Sequence, residues 1–260
     1  MAAPPLRTAL VTGSSSGIGR AIAERLAREG KVVGINSRDP AAVQRVVDAL
    51  QAEDLRAFAA PGDVTRAADV QRMVEAALAT TGSLDILVNN AGGVAGVQAS
   101  RRFEDFEEAA WHEVLDRNLT SVFLCCRAAV PHMKARGWGR IVNVASEAAR
   151  TAIVPPIAGY AYASAKSGML GLSRVLASEL APFGITVNVV APGFTRSGPR
   201  IEQMFRALPE ERQRERLRPT KIGRWAELPE IASAVAYFAS EDASYAIGAV
   251  LDVNGGSFMP

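Results

Sequence analysis

Short apolar runs alternate with longer segments of helical periodicity from one end of the chain to the other. Seven runs rich in β-branched and apolar residues predict strands, at residues 9–12, 32–35, 56–60, 84–89, 140–145, 185–191 and 250–253. Six longer segments predict helices, at residues 18–29, 41–53, 68–80, 111–136, 160–181 and 228–240. Strands that alternate with helices are typical of a mostly parallel sheet with helices on both faces, so the pattern predicts an α/β fold.

The pattern contains no internal repeat, low-complexity tract or linker, and 260 residues fit one α/β domain spanning 1–260. The one shift in composition is residues 196–224, which hold nine basic and four acidic side chains between the sixth strand and the last long helix. Ligands enter such sheets at the carboxyl ends of the strands. We therefore expect this segment to be a lid over the substrate and not a second domain.

Composition narrows the classes of function. Hydrophobic residues make up 48% and charged residues 22%, which excludes a disordered chain. A formal net charge of +2 gives little field for holding a phosphate backbone, so nucleic acid is not expected as a partner. The adjacent Cys125 and Cys126 lie in an apolar helical stretch and are expected to be small buried hydrophobes. With only two histidines and no Cys/His cluster, no required metal is expected.

The beginning of the chain, Met1 to Val11, contains one arginine and a short apolar run, not the apolar core of a signal peptide. No window reaches the roughly 18 apolar residues of a membrane span. No membrane association is expected, and the expected location is the cytoplasm.

A glycine-rich motif follows the first predicted strand and opens the first long helix. It reads Thr12-Gly13-Ser14-Ser15-Ser16-Gly17-Ile18-Gly19. Glycines let the backbone turn tightly and approach a pyrophosphate, whose charge the free N–H groups and dipole of the helix N-terminus stabilise. A Gly/Ser turn alone is weak evidence, but a strand before it and a helix after it are the context of a dinucleotide-binding loop.

The spacing Gly-x3-Gly-x-Gly resembles that of the short-chain dehydrogenase/reductase family. The resemblance extends over nearly the whole chain through five further motifs: Asn89-Asn90-Ala91-Gly92, Asn118, Ser146, Tyr162-Ala163-Ser164-Ala165-Lys166 and Pro192-Gly193. It implies one Rossmann-type, doubly wound domain with a seven-stranded parallel sheet in the order 3-2-1-4-5-6-7. It also implies hydride transfer between a nicotinamide and a carbonyl or alcohol carbon.

The chemistry of Tyr162 and Lys166 can also be argued from the residues. Reduction of a carbonyl needs a proton donor for the developing alkoxide and hydrogen bonds aimed at its oxygen. Residues four apart on one helix share a face, and an ammonium near a phenol favours phenolate, so a lowered pKa of Tyr162 is expected. Tyr162 is then the acid in reduction and the base in oxidation, and the resemblance implies that Lys166 also binds the nicotinamide ribose. An ordinary surface Tyr/Lys pair is the alternative.

The resemblance assigns two more catalytic residues. Ser146 would donate a hydrogen bond to the substrate oxygen, with a turn serine as the alternative. It lies sixteen residues before Tyr162, where the family usually has about thirteen, so the loop 147–159 is expected to reshape the pocket. Asn118 would bend its helix and hold a water next to Lys166; the alternative is a locally satisfied polar residue. Tyr160 has no lysine four residues on and is expected to pack or line the pocket.

The residues after the second strand favour NADP(H) over NAD(H). An acidic residue here would bind the ribose 2′-hydroxyl, but Ser37 occupies that position and Arg38 follows it, so a guanidinium can reach a 2′-phosphate. Asp39, the counter-evidence, precedes Pro40 and is expected to be a helix N-cap. By resemblance, Asp63 contacts the adenine and Asn90 packs under the ribose. The other cofactor contacts that the resemblance implies are Ser15, Ser16, Ile18, Val64, Ala91, Gly92, Pro192, Gly193 and Thr195.

The expected substrate is a small carbonyl or alcohol compound. Residues 185–194 and 253–256 most resemble bacterial 3-oxoacyl-carrier-protein reductases, which implies a carrier- or CoA-linked thioester. Two positions where those reductases carry basic residues for docking the carrier are Gly137 and Phe183 here, although Arg136 is adjacent. Dehydrogenases of sugars, steroids or other small alcohols are the alternative. A further alternative is a protein that binds a nicotinamide but has no catalytic activity. The presence of all the candidate catalytic residues argues against it.

A homotetramer is expected. The helices around Cys125 and Met169 are apolar on more than one face, and one sheet covers only one of those faces. The resemblance implies tetramers through the helices that follow the fourth and fifth strands. The apolar tail at Phe258 and Met259 could cover either a partner or its own subunit.

Overall fold

Seven strands form one sheet in the order β3-β2-β1-β4-β5-β6-β7, and every neighbouring pair is parallel. The computed structural model describes residues 6–100, 102–152 and 158–260. The strands are β1 Thr8–Val11, β2 Val32–Ile35, β3 Ala57–Ala59, β4 Ile86–Asn89, β5 Gly139–Val144, β6 Ile185–Pro192 and β7 Val250–Val253. The predicted fold class and strand order are confirmed.

The described part contains nine α-helices, and those between successive strands make the crossovers that parallel neighbours require. They are α1 Gly17–Arg28, α2 Pro40–Gln51, α3 Ala67–Thr81, α4 Glu108–Leu115, α5 Ser121–Arg136, α6 Gly159–Leu180, α7 Pro199–Arg206, α8 Glu210–Leu217 and α9 Leu228–Phe238. No helix of the described residues is both long and apolar enough to cross a membrane.

The sheet separates two apolar cores, because successive side chains of a strand point to opposite faces. On β1, Val11 packs into the core with α1, α2 and α9, whereas Leu10 packs into the core with α3, α5 and α6. Cys125 and Cys126 are free and buried in this second core, as predicted. Burial raises the pKa of the Cys126 thiol to about 12, so it behaves as a hydrophobe.

Two helical regions differ from the sequence-based expectation. The helix predicted at 111–136 starts earlier and is interrupted by a π-helical turn, Asp116–Thr120, which joins α4 to α5. The segment 196–224 contains two short helices, α7 and α8, which were not predicted. Of these, α8, Glu210–Leu217, is mostly charged. Such a helix has no apolar face for a periodicity argument to detect.

Candidate active site

The predicted site residues collect at the carboxyl edge of the sheet and on the adjoining helices. The glycine-rich loop follows β1, Ser37 and Arg38 follow β2, and Asp63 and Val64 lie beyond β3. Asn90, Ala91 and Gly92 follow β4, Ser146 lies beyond β5, and Pro192 ends β6. Six segments that are distant in sequence therefore meet along one edge, where parallel sheets bind ligands.

The loop after β1 has the backbone geometry of an anion cradle. Gly13 and Gly17 have φ angles of 64° and 57°, in the left-handed region that favours glycine. A Cβ on Gly19 would lie 2.3 Å from the carbonyl oxygen of Gly13, so only glycine permits this turn. Ser16 is the N-cap of α1 but makes no side-chain cap, which leaves the first N–H groups of the helix available. Ser15 and Ile18 flank it, half-buried.

Asn36, which the sequence analysis did not single out, holds this loop in place. Its side-chain oxygen accepts a 3.1 Å hydrogen bond from the N–H of Gly13. Its amide nitrogen donates to the carbonyl oxygens of Ala60 and Gly62 at 3.0 and 3.1 Å. One buried side chain thus ties together the segments after β1, β2 and β3. A polar residue directly after an apolar strand is the only sequence signal for it.

Asn90 connects the loop after β4 to the glycine-rich loop. Its amide nitrogen donates to the carbonyl oxygens of Thr12 and Gly13, at 3.0 and 3.2 Å. The hydroxyl of Thr12 in return accepts hydrogen bonds from the N–H groups of Asn90 and Ala91, both at 3.0 Å. These contacts fix the position of the loop that carries Gly92.

Arg38 lies exposed after β2, and within the described residues its side chain makes no hydrogen bond or ion pair. The hydroxyl of Ser37 donates to the backbone oxygen of Asp39 at 3.1 Å. Asp39 caps α2, because its carboxylate accepts a 2.9 Å hydrogen bond from the N–H of Ala41. The N-cap prediction is confirmed, and among the described residues no charged group engages the guanidinium of Arg38.

The turn after β3 places Asp63 beside Val64, which is buried. One carboxylate oxygen of Asp63 accepts hydrogen bonds from the N–H and the hydroxyl of Thr65, at 2.9 and 2.7 Å. Its backbone N–H donates to Asp69 at 2.9 Å. The turn is thus fixed by its own hydrogen bonds, with the second oxygen of Asp63 left free of them.

Asn118 is fully buried in the π-helical turn between α4 and α5. Its side-chain oxygen accepts a 2.7 Å hydrogen bond from the N–H of Gly93, and its amide nitrogen donates to the carbonyls of Gly93 and Val114 at 3.0 and 2.9 Å. Single π-helical turns inserted in α-helices are frequent at functional sites. Here the turn brings Asn118 against the loop after β4.

Lys166 lies buried on α6 and donates a 2.9 Å hydrogen bond to the carbonyl oxygen of Val144, at the end of β5. Burial lowers the pKa of its ammonium to about 8. Its Nζ lies 5.7 Å from the centre of the Tyr162 ring. Lys166 therefore reaches from α6 across the end of the sheet towards the loop that holds Gly92.

The structure brings Ser146 close enough to Tyr162 for hydrogen bonding by Ser146 to affect the pKa of the phenol. Burial raises the pKa of Tyr162, the hydrogen bond from Ser146 opposes this, and the charge of Glu147 adds to it. The lowered pKa that the sequence predicted is therefore wrong for this structure. The reason is that the low-polarity environment penalises both ionised groups, and Lys166 points its ammonium at a backbone carbonyl.

Tyr160 and the loop 147–159 lie around this cluster, and the sequence carries an expectation for each. Tyr160 packs edge to face on Phe103 and Phe106, with ring centres 5.3 and 5.9 Å apart, in agreement with its predicted packing role. The predicted reshaping of the pocket by the loop 147–159 falls partly on residues 153–157, which lie outside the described residues.

The far side of the site is formed by the segment after β6. Gly193 packs so closely on Asn254 that a Cβ would lie 2.8 Å from its Cα. Thr195 is buried, and its hydroxyl donates to the carbonyl of Gly193 at 3.0 Å. A Cβ on Gly17 would lie 2.6 Å from the carbonyl oxygen of Ser197, so the start of segment 196–224 lies directly against the glycine-rich loop.

Comparison with known proteins identifies the family. Residues 7–205 match the family described as short chain dehydrogenase. The chain belongs to the short-chain dehydrogenase/reductase family. It is an oxidoreductase that acts on CH–OH and C=O groups, and enzymes of this family use a nicotinamide cofactor.

Individual relatives match over nearly the full length. The 3-oxoacyl-[acyl-carrier-protein] reductase FabG of Staphylococcus aureus strain Mu50 is 38% identical, over 97% of this chain and 98% of that protein. The reductase of the same name from Salmonella typhimurium strain LT2 is 41% identical, again over 97% and 98%. A crystal structure from Agrobacterium tumefaciens, described as a "putative gluconate dehydrogenase", has a TM-score of 0.87 and 35% identity, covering 96% and 95% of the two chains.

The residues at the edge of this sheet fit a dinucleotide. A glycine cradle lies under the open N-terminus of α1, and beyond β2 the Arg38 side chain has no hydrogen-bond or ion-pair partner among the residues that the structure describes. The buried Lys166 and the loop of Gly92 mark the opposite end of the same edge. The diphosphate and the ribose of a dinucleotide would therefore each find a group of matching polarity at this edge.

Proposed function

We propose that the chain is an NADP(H)-dependent enzyme that interconverts a ketone and a secondary alcohol, with Tyr162 as the general acid and base. The observation that carries the proposal is the cluster of Ser146, Tyr162, Lys166 and Asn118, which come from three separate segments and converge beside Gly92. Its members are a proton donor with an oriented hydroxyl partner, a buried cation and a buried amide. Carbonyl reduction needs groups of this kind at the reacting oxygen.

The proposal gives each of these residues a role that its position supports. The bound nicotinamide supplies or accepts the hydride. In reduction, Tyr162 gives its phenolic proton to the substrate oxygen while Ser146 donates a hydrogen bond to the same atom. Lys166, whose pKa is lowered to about 8, holds the ribose and passes protons near neutral pH. Asn118 holds a water next to Lys166, through which the proton is replaced. In oxidation, each proton moves in the opposite direction.

The choice of NADP(H) over NAD(H) rests on the end of β2. Arg38 is exposed and unpaired within the described residues, and Asp39 directs its carboxylate to the N-terminus of α2. The cofactor's 2′-phosphate would therefore meet a free guanidinium and no competing carboxylate. The contacts proposed for the rest of the cofactor are those of Gly13, Ser15, Ser16, Gly17, Ile18, Gly19, Asp63, Val64, Asn90, Ala91, Gly92, Pro192, Gly193 and Thr195.

The substrate that the comparisons favour is a 3-oxoacyl thioester, because relatives at 38% and 41% identity are reductases of that substrate by name. The basic docking positions of those reductases are replaced here. Gly137 ends α5, and the ring of Phe183 lies under the ammonium of Lys134 at 4.5 Å. Arg136 is 3.2 Å from the buried carboxylate of Asp85 and is therefore already engaged. A CoA-linked thioester is accordingly favoured over a carrier-linked one.

A polyhydroxylated small alcohol or its ketone is the second candidate. It is favoured by the structural likeness, at 35% identity, to the chain described as a "putative gluconate dehydrogenase". We propose residues 196–224 as the lid over either substrate. An aromatic cluster of Phe194, Phe205 and Trp225 anchors that lid, with ring centres of Phe205 and Trp225 4.5 Å apart.

One experiment tests the mechanism and the substrate class together. Oxidation of NADPH is followed with acetoacetyl-CoA, an acetoacetyl carrier thioester and a panel of sugar ketones. Tyr162→Phe is expected to lose at least about 100-fold in kcat while keeping NADPH affinity, because it removes only the transferable proton. Lys166→Ala is expected to impair both. Tyr160→Phe, the same change two residues away on α6, is the matched control and is expected to retain activity.

Activity of Tyr162→Phe within a few-fold of the unaltered enzyme would refute the assigned mechanism. NADPH binding without turnover on any of these carbonyls would instead favour a protein that only binds the nicotinamide.

A further inference from the structure

The turn that begins at Ser146 is joined to the end of the chain, residues 254–260, which we call the C-terminal tail. Ser146 is the N-cap of the 3₁₀ turn Glu147–Ala149. Its side-chain oxygen accepts a 3.2 Å hydrogen bond from the N–H of Ala148. This contact uses an acceptor position of the hydroxyl and leaves its one proton for donation. The orientation of the turn therefore decides where Ser146 can donate.

The side chain next to Ser146 contacts the tail. Glu147 is buried, and the hydroxyl of Ser257, 110 residues away in sequence, donates a hydrogen bond to its Oε2. Burial raises the pKa of the Glu147 carboxyl, and the hydrogen bond from Ser257 lowers it. A carboxyl group has an oxygen that accepts a hydrogen bond in either protonation state, so this contact does not depend on a charge. Ser257 thus holds the residue that directly follows Ser146.

Arg150, at the other end of the same turn, also contacts this part of the chain. Its guanidinium lies 5.2 Å from the ring centre of Phe258, and its Nε lies 3.5 Å from Oδ1 of Asp252 on β7. Helix α6 contacts the turn as well, where the hydroxyl of Ser167 donates to the carbonyl oxygen of Ala149 at 2.9 Å. The tail and β7 therefore hold both ends of the turn, and α6 holds it at Ala149.

The tail has hydrogen bonds of its own. Asn254 donates to the carbonyl oxygen of Phe258 at 3.0 Å and accepts from the N–H of Gly256 at 2.9 Å. The N–H of Ser257 donates to the carbonyl oxygen of Asn254 at 3.3 Å. Asn254 is buried against Gly193, which follows β6. The tail is therefore fixed relative to the sheet and can serve as a support for the turn.

We propose that the C-terminal tail positions Ser146 for catalysis, and that Ser257 is the positioning residue, which acts through Glu147. The inference rests on the proposed role of Ser146, which is to donate a hydrogen bond to the substrate oxygen. A shift of the turn moves the Ser146 hydroxyl away from that oxygen, and a displacement of about 1 Å can cost up to about 100-fold in rate. Ser257 affects the reaction only through the turn and touches no reacting atom.

A double-mutant cycle tests whether Ser257 acts through Ser146. Ser257→Ala is expected to lower kcat for NADPH-dependent carbonyl reduction about ten-fold, because the Ser146 hydroxyl is displaced. The KM for NADPH is expected to stay unchanged, because the tail does not hold the cofactor. In a protein that already carries Ser146→Ala, Ser257→Ala is expected to lower kcat no further. Ser257→Thr keeps the hydroxyl and is expected to be as active as the unaltered protein.

Hydrogen exchange of the full-length protein measures the turn without turnover. The N–H groups of residues 149–151 donate to backbone oxygens within the turn. In Ser257→Ala these groups are expected to exchange faster with solvent, because one end of the turn is released. Ser233→Ala is the matched control, because the Ser233 hydroxyl on α9 also binds a distant segment, by accepting a 2.8 Å hydrogen bond from Arg25. This variant is expected to leave both kcat and the exchange of the turn unchanged.

Faster exchange of the turn and a lower kcat in Ser257→Ala, both absent from Ser233→Ala, would support the proposal. Unchanged exchange in Ser257→Ala would overturn it. An equal loss of kcat with and without Ser146→Ala would overturn it as well, because Ser257 would then act by another route. If Tyr162→Phe were fully active, the proposed mechanism would fail, yet the exchange measurement would still decide whether the tail holds the turn.

Discussion

Gly92 lies directly against Asn118, so that a Cβ on Gly92 would be 2.6 Å from the side-chain oxygen of Asn118 and 3.5 Å from Nζ of Lys166. Asn118 is held by three hydrogen bonds to backbone atoms and cannot retreat without breaking at least one. The loop after β4, the π-helical turn and α6 therefore pack so closely here that only the hydrogen atom of glycine fits at position 92.

Gly92→Ala is therefore expected to reduce kcat at least about ten-fold by displacing Asn118, a loss of about 1.4 kcal/mol in transition-state stabilisation. Steady-state kinetics measure it. Gly171→Ala on α6 is the matched control, because a Cβ there meets nothing within 4 Å and alanine is the better helix former. Equal effects of the two variants would contradict the importance of this contact.

Arg38→Ala is expected to weaken NADPH binding by about 1.5–3 kcal/mol and NADH binding hardly at all, because only NADPH offers a 2′-phosphate for a charge-assisted contact. Fluorescence titration with both cofactors measures the difference. Arg45→Ala, on the following helix and 3.9 Å from Asp39, removes the same charge nearby and is expected to leave the preference unchanged. Equal losses for both cofactors in Arg38→Ala would give Arg38 a structural role.

Asn36→Asp is expected to destabilise the protein by about 2–4 kcal/mol at neutral pH, because a carboxylate oxygen would face the carbonyls of Ala60 and Gly62 in place of a donor. Urea unfolding measures it. The loss is expected to shrink at lower pH, where a protonated carboxyl can again donate one hydrogen bond. Asn36→Ala, which leaves the carbonyls unpaired without repelling them, is expected to lose less. A pH-independent loss in Asn36→Asp would contradict this account.

Lys166 is expected to reduce stability most below pH 8. Its pKa of about 8 in the folded protein lies below the ordinary value of 10.5, so between these pH values the unfolded chain binds the extra proton and stability rises with pH. Lys166→Met is therefore expected to be more stable by about 1–3 kcal/mol at pH 7, after the lost hydrogen bond to Val144 is counted. This advantage should disappear by about pH 10.5. Denaturant unfolding at several pH values decides it, and a constant difference would refute it.

The chain is expected to form a homotetramer of its 27.5 kDa subunits. Exposed apolar side chains lie on α5, on α6 and after α9, where Phe123, Val175 and Tyr245 are 46%, 67% and 99% exposed. Multi-angle light scattering at micromolar concentration measures the mass, and a clean monomer would refute the expectation. Val175→Glu is expected to weaken the assembly, whereas Thr80→Glu on the exposed side of α3 is expected to leave it intact.

The tail has a smaller expected part in assembly. The guanidinium of Arg150 lies 5.2 Å from the ring centre of Phe258, which places this ring on its own subunit. Met259 is 69% exposed. Removal of residues 258–260 is therefore expected to weaken the tetramer only by the contacts that Met259 and Pro260 make with a partner. The same light-scattering measurement tests this expectation.

The sequence by itself determined the fold and the identity of the catalytic candidates. All seven predicted strands are present within two residues of their predicted ends, because strands buried on both faces are mostly apolar runs and such runs are visible without any tertiary information. Three patterns could be recognised because their residues lie close together in the sequence. They are the glycine spacing, the pair Tyr162 and Lys166, and the residues at the end of β2.

Only the tertiary structure decided how these groups affect one another. Asn36 binds segments from three strand ends, and Ser257 reaches Glu147 across 110 residues, so no local pattern contains either contact. The charged helix α8 has no apolar periodicity to reveal it. The pKa of Tyr162 shifts upward because burial, with a smaller contribution from the charge of Glu147, outweighs the lowering by hydrogen bonding of Ser146. Burial depends on what the rest of the chain packs around a side chain, and a sequence motif does not specify that.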